Sequence, residues 1–269
     1  MSSTKKSKKP SKMKFDKNAV LFGILGFIFV LLVWQLISMI IPNKKLLPPP
    51  VEVLVAFIRS FYTPIGKLTL PAHIAYSLYR VVVGYSIATI CGISLGLAMA
   101  SSRAVKAAVM PIFELLRPIP PLAWIPMGII WFGIGETTKY FIIFIATFTT
   151  IVINAYTGAT NVDPTLIGAA KMLGASNRKV FFTVVLPSSV PQIFAGLQVA
   201  LSTGWMAVLA AEMVRSSEGV GWVIIRGMEV ADTVQILVGM IGIGIVGFLL
   251  ATVMRLVERR LCAWNIQGI

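Results

Sequence analysis

Charge is scarce in this sequence, and negative charge scarcest: 13% of the 269 residues are charged, with 10 Asp and Glu against 24 Lys and Arg. Soluble domains carry about a quarter of their residues as charges, so this composition excludes an ordinary water-soluble globule. Histidine occurs once, at His73, with no evident partner for a metal or a proton relay. Of the two cysteines, Cys91 lies in an apolar run and Cys262 near the C-terminus, without CxxC or metal-like spacing. That removes a redox motif and a disulfide framework and leaves both as packing residues. No long apolar run contains an aspartate, and no HExxH occurs, so an intramembrane enzyme has little to be built from. A GxxxxGK[ST] phosphate loop is also missing, because Gly66-Lys67 has Phe61 where the first glycine belongs.

What is present is apolar: 57% of the residues are hydrophobic. A helix needs about 20 such residues to cross a bilayer, and six stretches qualify, at 19–41, 80–100, 108–133, 139–159, 189–212 and 234–256. The first follows a basic segment as a signal peptide would, yet it runs for 23 residues with no small-x-small cleavage site, which reads as a retained anchor. The third is interrupted by Pro111, Pro118, Pro120, Pro121 and Pro126, which predicts a short helix over 104–117 and a second piece that crosses.

The net charge of +14 is concentrated at one end, with seven lysines (Lys5, Lys6, Lys8, Lys9, Lys12, Lys14, Lys17) in the first 17 positions. Beside an apolar run, such a tail suits anionic lipid head groups and fixes topology; nucleic acid is not an expected partner. With six passes both termini share a side. The tail, the 101–107 loop, the 160–188 segment and the C-terminus hold fifteen Lys and Arg, the opposite loops eight, and Arg117 falls inside the third pass. The positive-inside rule puts both termini in the cytoplasm. The expected fold class is an all-α polytopic membrane protein of about six transmembrane helices, N-in and C-in. Its expected segments are a basic cytoplasmic tail at 1–18, a first transmembrane helix at 19–41, an external segment at 42–79 and a core domain at 80–269.

Small residues recur every four positions in the second pass (Gly84, Ala88, Gly92, Gly96, Ala100), the fifth (Gly196, Ala200, Gly204) and the sixth (Gly247, Ala251). Such ladders predict close helix packing. On the cytoplasmic side, GAAKMLGASNRKVFFTVVLP at 168–187 has the marks of a helical hairpin. Asp163-Pro164 is a helix start, Gly174 a stop, and Ser176 can cap a second helix running to Pro187. Two short helices with a glycine elbow are shaped to enter a partner's groove.

Ala169, Ala170, Gly174, Leu186 and Pro187 resemble the EAA motif of ABC-importer permeases, with Gly168 where that family has Glu. RPIPPLAWIPMGIIWFGIGETTKYF at 117–141, AAEM at 210–213 and VERRLCAWN at 257–265 are similar to the taurine, aliphatic-sulfonate and nitrate branch, taurine permeases most closely. The resemblance runs from about residue 45 to the C-terminus. It implies the type I importer fold in a bacterial inner membrane, and two permease chains, expected to be a homodimer, with a central pathway between them. It further implies a hairpin over 163–187 docked on each of two cytoplasmic ATPase subunits, and an extracytoplasmic solute-binding protein. Cofactors are expected on the partner, as ATP and Mg on the ATPase, and none in this chain. The coupling residues so implied are Gly168, Ala169, Ala170, Gly174, Ala175, Arg178, Leu186 and Pro187.

The pathway is less determined. Thr147, Thr150, Asn154 and Thr157 form a polar stripe in the fourth pass, and Gln198, Ser202 and Trp205 share a face of the fifth. They either line a route for a small oxyanion or bond within and between helices. Glu212 is an intramembrane functional candidate or a solvated snorkelling carboxylate. Arg117, at the proline-rich break, either serves the pathway or is neutralised by Glu114 in a simple bend. The external charges Arg215, Glu218, Arg226, Glu229 and Asp232 suit a landing surface or a solvated loop equally. The expected function is import of taurine or another aliphatic sulfonate. Nitrate, bicarbonate or a thiamine or pyrimidine precursor are alternatives on the same machinery, and a stand-alone ion-coupled carrier is the alternative of another class.

Overall fold

The computed structural model describes residues 17–41, 46–214 and 216–261. The lysine-rich tail up to residue 16, Lys44, Lys45, Arg215, Cys262 and the rest of the C-terminal motif lie outside the described residues. Among the described residues the chain is helical: α1 (Lys17–Ile40), α2 (Pro50–Arg59), α3 (Leu70–Ser101), α4 (Arg103–Leu116), α5 (Ile125–Phe132), α6 (Glu136–Thr160), α7 (Pro164–Met172), α8 (Asn177–Val180), α9 (Leu186–Met213), α10 (Val220–Glu229) and α11 (Thr233–Leu261). Among the described residues five helices are long and apolar enough to cross a membrane, and the third expected pass is a broken one. Arg103–Leu116 and Pro121–Phe132 meet at 94°. Proline supplies no N–H and obstructs the preceding turn, so the run of prolines from Pro118 to Pro121 divides the segment. The eight residues of α5 span only about 12 Å at 1.5 Å per residue.

The core is α3, α6 and α9, brought together by the small-residue ladders. Gly84 faces Ile143 and Gly92 faces Ile151, so α3 and α6 run parallel in constant register. A Cβ on Gly96 would come within 2.6 Å of the Val152 carbonyl oxygen, an approach only glycine permits. Gly196 meets Asn154 and Gly204 meets Thr147, so α9 returns antiparallel along α6. Ala88, Ile151, Ala155, Ile193, Leu197 and Ala200 fill the resulting seam. Tyr85 crosses it to donate to the Leu197 carbonyl at 3.0 Å. Outside this core, α2 packs Val53 against Leu70 and Val238, and α1 touches that cluster through Trp34 while most of its described side chains are exposed.

Three expectations need correction. The second pass starts at Leu70, ten residues ahead of the expected start, so His73 and Ser77 join Arg80 in a membrane-spanning helix and do not belong to the external segment at 42–79. The helix proposed to end at Pro187 does not end there. After α8, a wide turn over Phe181–Val185 lets Leu186 donate to the Phe181 carbonyl, and Pro187, which has no N–H to place, follows directly inside α9. Cys91, read as a packing residue, is exposed on α3.

Candidate functional site

The hairpin is built as its residues dictate. The Asp163 carboxylate accepts from the Thr165 N–H and hydroxyl, each at 2.8 Å, which closes the first turn of α7 and holds that carboxyl below the ordinary carboxylate range. Gly174 takes φ +79°. Its N–H donates to Lys171 at 2.9 Å and that of Ala175 to Ala170 at 3.1 Å, the paired bonds that end a helix at a left-handed residue. Ser176 then caps α8 through the Lys179 N–H. Val162 and Val180 are buried at the base, whereas Met172 is 86% and Leu173 89% exposed at the tip. Gly168, Ala169 and Ala170 lie on α7 and Arg178 on α8, the two arms of the hairpin, and Leu186 and Pro187 open α9. A Cβ on Gly168 would touch nothing within 4 Å, so neither crowding nor backbone conformation requires glycine there.

The polar residues of the fourth and fifth passes are divided. Thr147 is fully buried, and its hydroxyl donates to the Ile143 carbonyl of its own helix at 2.8 Å. Asn154 bonds the Thr150 carbonyl at 2.8 Å and accepts from Gln192 of α9 at 2.9 Å. Thr150, Thr157 and Gln198 are half-buried. Ser202 and Trp205 do not share one environment: Ser202 is exposed, while Trp205 is buried and donates from Nε1 to the Ile243 carbonyl of α11 at 3.1 Å. They are three positions apart, about 60° around the helix, and the edge of the packed sector falls between them.

Arg117 lies at the end of α4 and lines a cavity of about 450 Å³ between the broken segment, α6 and α9. Trp124, Phe144, Phe148, Thr149 and Met206 are among its other walls. The expected neutralisation by Glu114 does not occur: among the described residues Arg117 forms no ion pair, and Glu114 is not part of the cavity wall.

At the end of the bundle away from the hairpin, sequence reasoning missed a buried charged cluster. Arg80, 1% exposed, grips Glu136 through Nε at 2.6 Å and Nη2 at 2.7 Å. Its Nη1 donates at 2.8 Å to Glu212 and at 2.8 Å to the Glu218 carbonyl. Glu212, also 1% exposed, accepts from the Ser77 hydroxyl at 2.8 Å and the Gly221 N–H at 2.9 Å. Lys139 bridges Glu136 at 2.7 Å and Ser216 at 2.8 Å. His73 accepts the Gly219 N–H on Nδ1 at 3.1 Å, which makes Nε2 the donor to the Ile65 carbonyl at 3.0 Å and the ring neutral. The snorkelling reading of Glu212 is therefore wrong, while His73 is held by backbone groups alone, Ile65 and Gly219. One signal was available: Arg80, Glu136, Lys139 and Glu212 all lie at or near the same-side ends of predicted passes, where intramembrane charges pair with one another. The cluster binds α3, α6 and α9 to the first turn of α10.

Comparison with known proteins gives a consistent picture. Residues 88–262 match the family described as binding-protein-dependent transport system inner membrane component. The taurine transport system permease protein TauC of Escherichia coli K12 is 37% identical over 245 residues, covering 90% of this chain and 89% of that protein. The nitrate import permease protein NrtB of Synechocystis is 36% identical over 226 residues, 82% of each chain. The putative aliphatic sulfonates transport permease protein SsuC of Bacillus subtilis is 29% identical over 259 residues, 96% of this chain and 91% of that one. Among solved structures, a chain of the MetNI methionine ABC transporter in inward-facing conformations superposes with a TM-score of 0.60 at 17% identity, over 80% of this chain and 98% of that chain.

Proposed function

Because the chain belongs to the family of binding-protein-dependent transport system inner membrane components, we propose that it is the membrane subunit of an ATP-driven importer of a small oxyanion, taurine or another aliphatic sulfonate. Its hairpin over 163–187 engages the ATPase. The observation that carries this reading is the tip: two large apolar side chains, Met172 and Leu173, stand 86% and 89% exposed on a capped, turn-locked element. Two adjacent apolar side chains presented together by a short, rigidly closed helical hairpin suit insertion into a partner's groove. ATP and Mg belong to two ATPase subunits, a solute-binding protein delivers the cargo to the opposite face, and a second copy of this chain completes the pathway.

Orientation follows from charge. Of the cations on the side opposite the hairpin, Arg80 and Lys139 lie within helices α3 and α6 and not in loops, which leaves the hairpin-side loops still richer in Lys and Arg and supports cytoplasmic termini. A stand-alone carrier is less well supported, because Glu212, the buried carboxylate it would use, is already paired with Arg80. Nitrate is the second cargo reading, since NrtB is as similar over its aligned region as the sulfonate relatives are.

The test is to tag the chain, solubilise it gently and identify co-purifying proteins for wild type and Gly174→Pro. An ATPase present with wild type and lost with the variant, both chains being folded, is the expected result. A stable wild-type chain that recovers no ATPase would refute the proposal.

A further inference from the structure

The cavity beside Arg117 lies at an informative depth. It meets α6 at Phe144–Thr149, with roughly 12 Å of that helix on one side and about 16 Å on the other at 1.5 Å per residue. It meets α9 at Thr203, Met206 and Ala207, well inside that helix. The side chain that lines it, Arg117, is exposed, and among the described residues it has neither an ion pair nor a side-chain hydrogen bond. A lone guanidinium near the middle of a bilayer is not left facing acyl chains; such groups face a water-filled cavity or a partner. The face of the chain formed by the broken segment, α6 and α9 is therefore not a lipid face.

The other walls indicate what passes there. Apart from Arg117 and the hydroxyls of Thr149 and Thr203, the lining is apolar and partly aromatic, with Trp124 and the stacked pair Phe144 and Phe148. The Thr203 hydroxyl is already engaged with the Ala200 carbonyl at 2.9 Å. One planar cationic fork set in apolar walls is complementary to an anion with a three-oxygen head and a short carbon chain, the head on the guanidinium and the methylenes on the rings. A bare oxyanion such as nitrate offers nothing to the apolar walls. Resting on the importer reading above, we propose that Arg117 is the anion contact of the translocation pathway and that the cavity selects aliphatic sulfonates over inorganic oxyanions. Exposure of Arg117 to water keeps the contact weak enough for release.

The test uses the full importer, with its ATPase subunits and binding protein, in proteoliposomes. Uptake of taurine, ethanesulfonate and nitrate is followed for wild type, Arg117→Gln and Arg117→Lys, alongside binding-protein-stimulated ATP hydrolysis. Sulfonate uptake is expected to fall at least tenfold in Arg117→Gln while ATP hydrolysis persists, and to recover in part in Arg117→Lys. Sulfonate uptake in Arg117→Gln within twofold of wild type would overturn the proposal, as would a wild type that carries nitrate and neither sulfonate. Failure of the importer reading itself would look different, as a wild-type chain with no ATPase bound. Should Arg117→Gln fail to assemble, Thr149→Cys in a Cys91→Ser, Cys262→Ser background decides. Labelling by an anionic, membrane-impermeant thiol reagent that taurine slows supports the proposal, and a thiol inert to that reagent sinks it.

Discussion

Arg80 has all three guanidinium nitrogens occupied, by two carboxylates and a backbone carbonyl. Two cations, Arg80 and Lys139, face Glu136 and Glu212, with the partly exposed Glu218 carboxylate 4.0 Å from Arg80, so the two members almost wholly withdrawn from solvent, Arg80 and Glu212, are paired with each other. Such a cluster is a weak source of net stability when intact, but removing one partner strands the others, at a cost of about 3–5 kcal/mol. Glu212→Ala is expected to lose that much, because Arg80 loses its buried counter-ion and the Gly221 N–H its acceptor, while Arg80 Nη1 keeps only the Glu218 carbonyl and Ser77 only the His73 carbonyl. Glu212→Gln keeps an oxygen for part of the set and should fall between wild type and Ala. Thermal unfolding of the purified chain in detergent checks the order; equal stability of all three would mean the carboxylate carries no structural role. None of this was legible residue by residue. Arg80 reads as the edge of a pass and His73 as part of an external segment until α3 is known to begin at Leu70, and only the fold brings residues more than 130 positions apart into contact.

At the scale of single elements the sequence was far more readable, because the signals are local. Asp163-Pro164, Gly174 and Ser176 act on donors within a few residues of themselves, and each does what its chemistry predicts. The glycine ladders were equally legible as close-packing faces, although which helix lies against which was not, since spacing carries no partner identity. The continuation of α9 through Pro187 was missed because the wide turn before it leaves no recognised sequence mark. Two contrasts follow. In the ladder, Gly96→Ala places a methyl 2.6 Å from the Val152 carbonyl oxygen and is expected to cost about 1–3 kcal/mol. Gly26→Ala, with nothing within 4 Å, should be neutral or better in the same unfolding measurement. In the hairpin, Gly168→Ala meets open space within a helix and should stabilise α7 by up to about 1 kcal/mol, whereas Gly174→Ala forces a Cβ into φ +79° at about 1–2 kcal/mol. Amide hydrogen exchange across 164–180 should slow in the first variant and quicken in the second; the reverse ranking would refute the assignment of the elbow.

Over the whole molecule, the two ends of the α6 and α9 pair are held differently. Away from the hairpin, the charged cluster locks both helices to α3 and α10. Toward the hairpin, the polar ties between them reduce to Gln192 on Asn154, and the hairpin itself projects from the bundle with only its base buried. The pair stays close-packed at that end, with Gly158 against Gln192 and the Ser189 carbonyl, so what the hairpin end lacks is the charged lock and not the packing. The tip contributes little to the fold, since Met172 and Leu173 bury almost nothing within the chain. Met172→Asp with Leu173→Asp should consequently leave unfolding of the isolated chain within about 0.5 kcal/mol of wild type, the range of ordinary surface changes. The same pair of changes places two carboxylates in an apolar contact and should abolish recovery of the ATPase from solubilised membranes. A variant that unfolds early would show that the tip belongs to the core of the fold, and one that still retains the ATPase would move the contact off the tip. Unchanged stability together with a lost partner is the outcome that assigns Met172 and Leu173 to the partner contact and not to the fold.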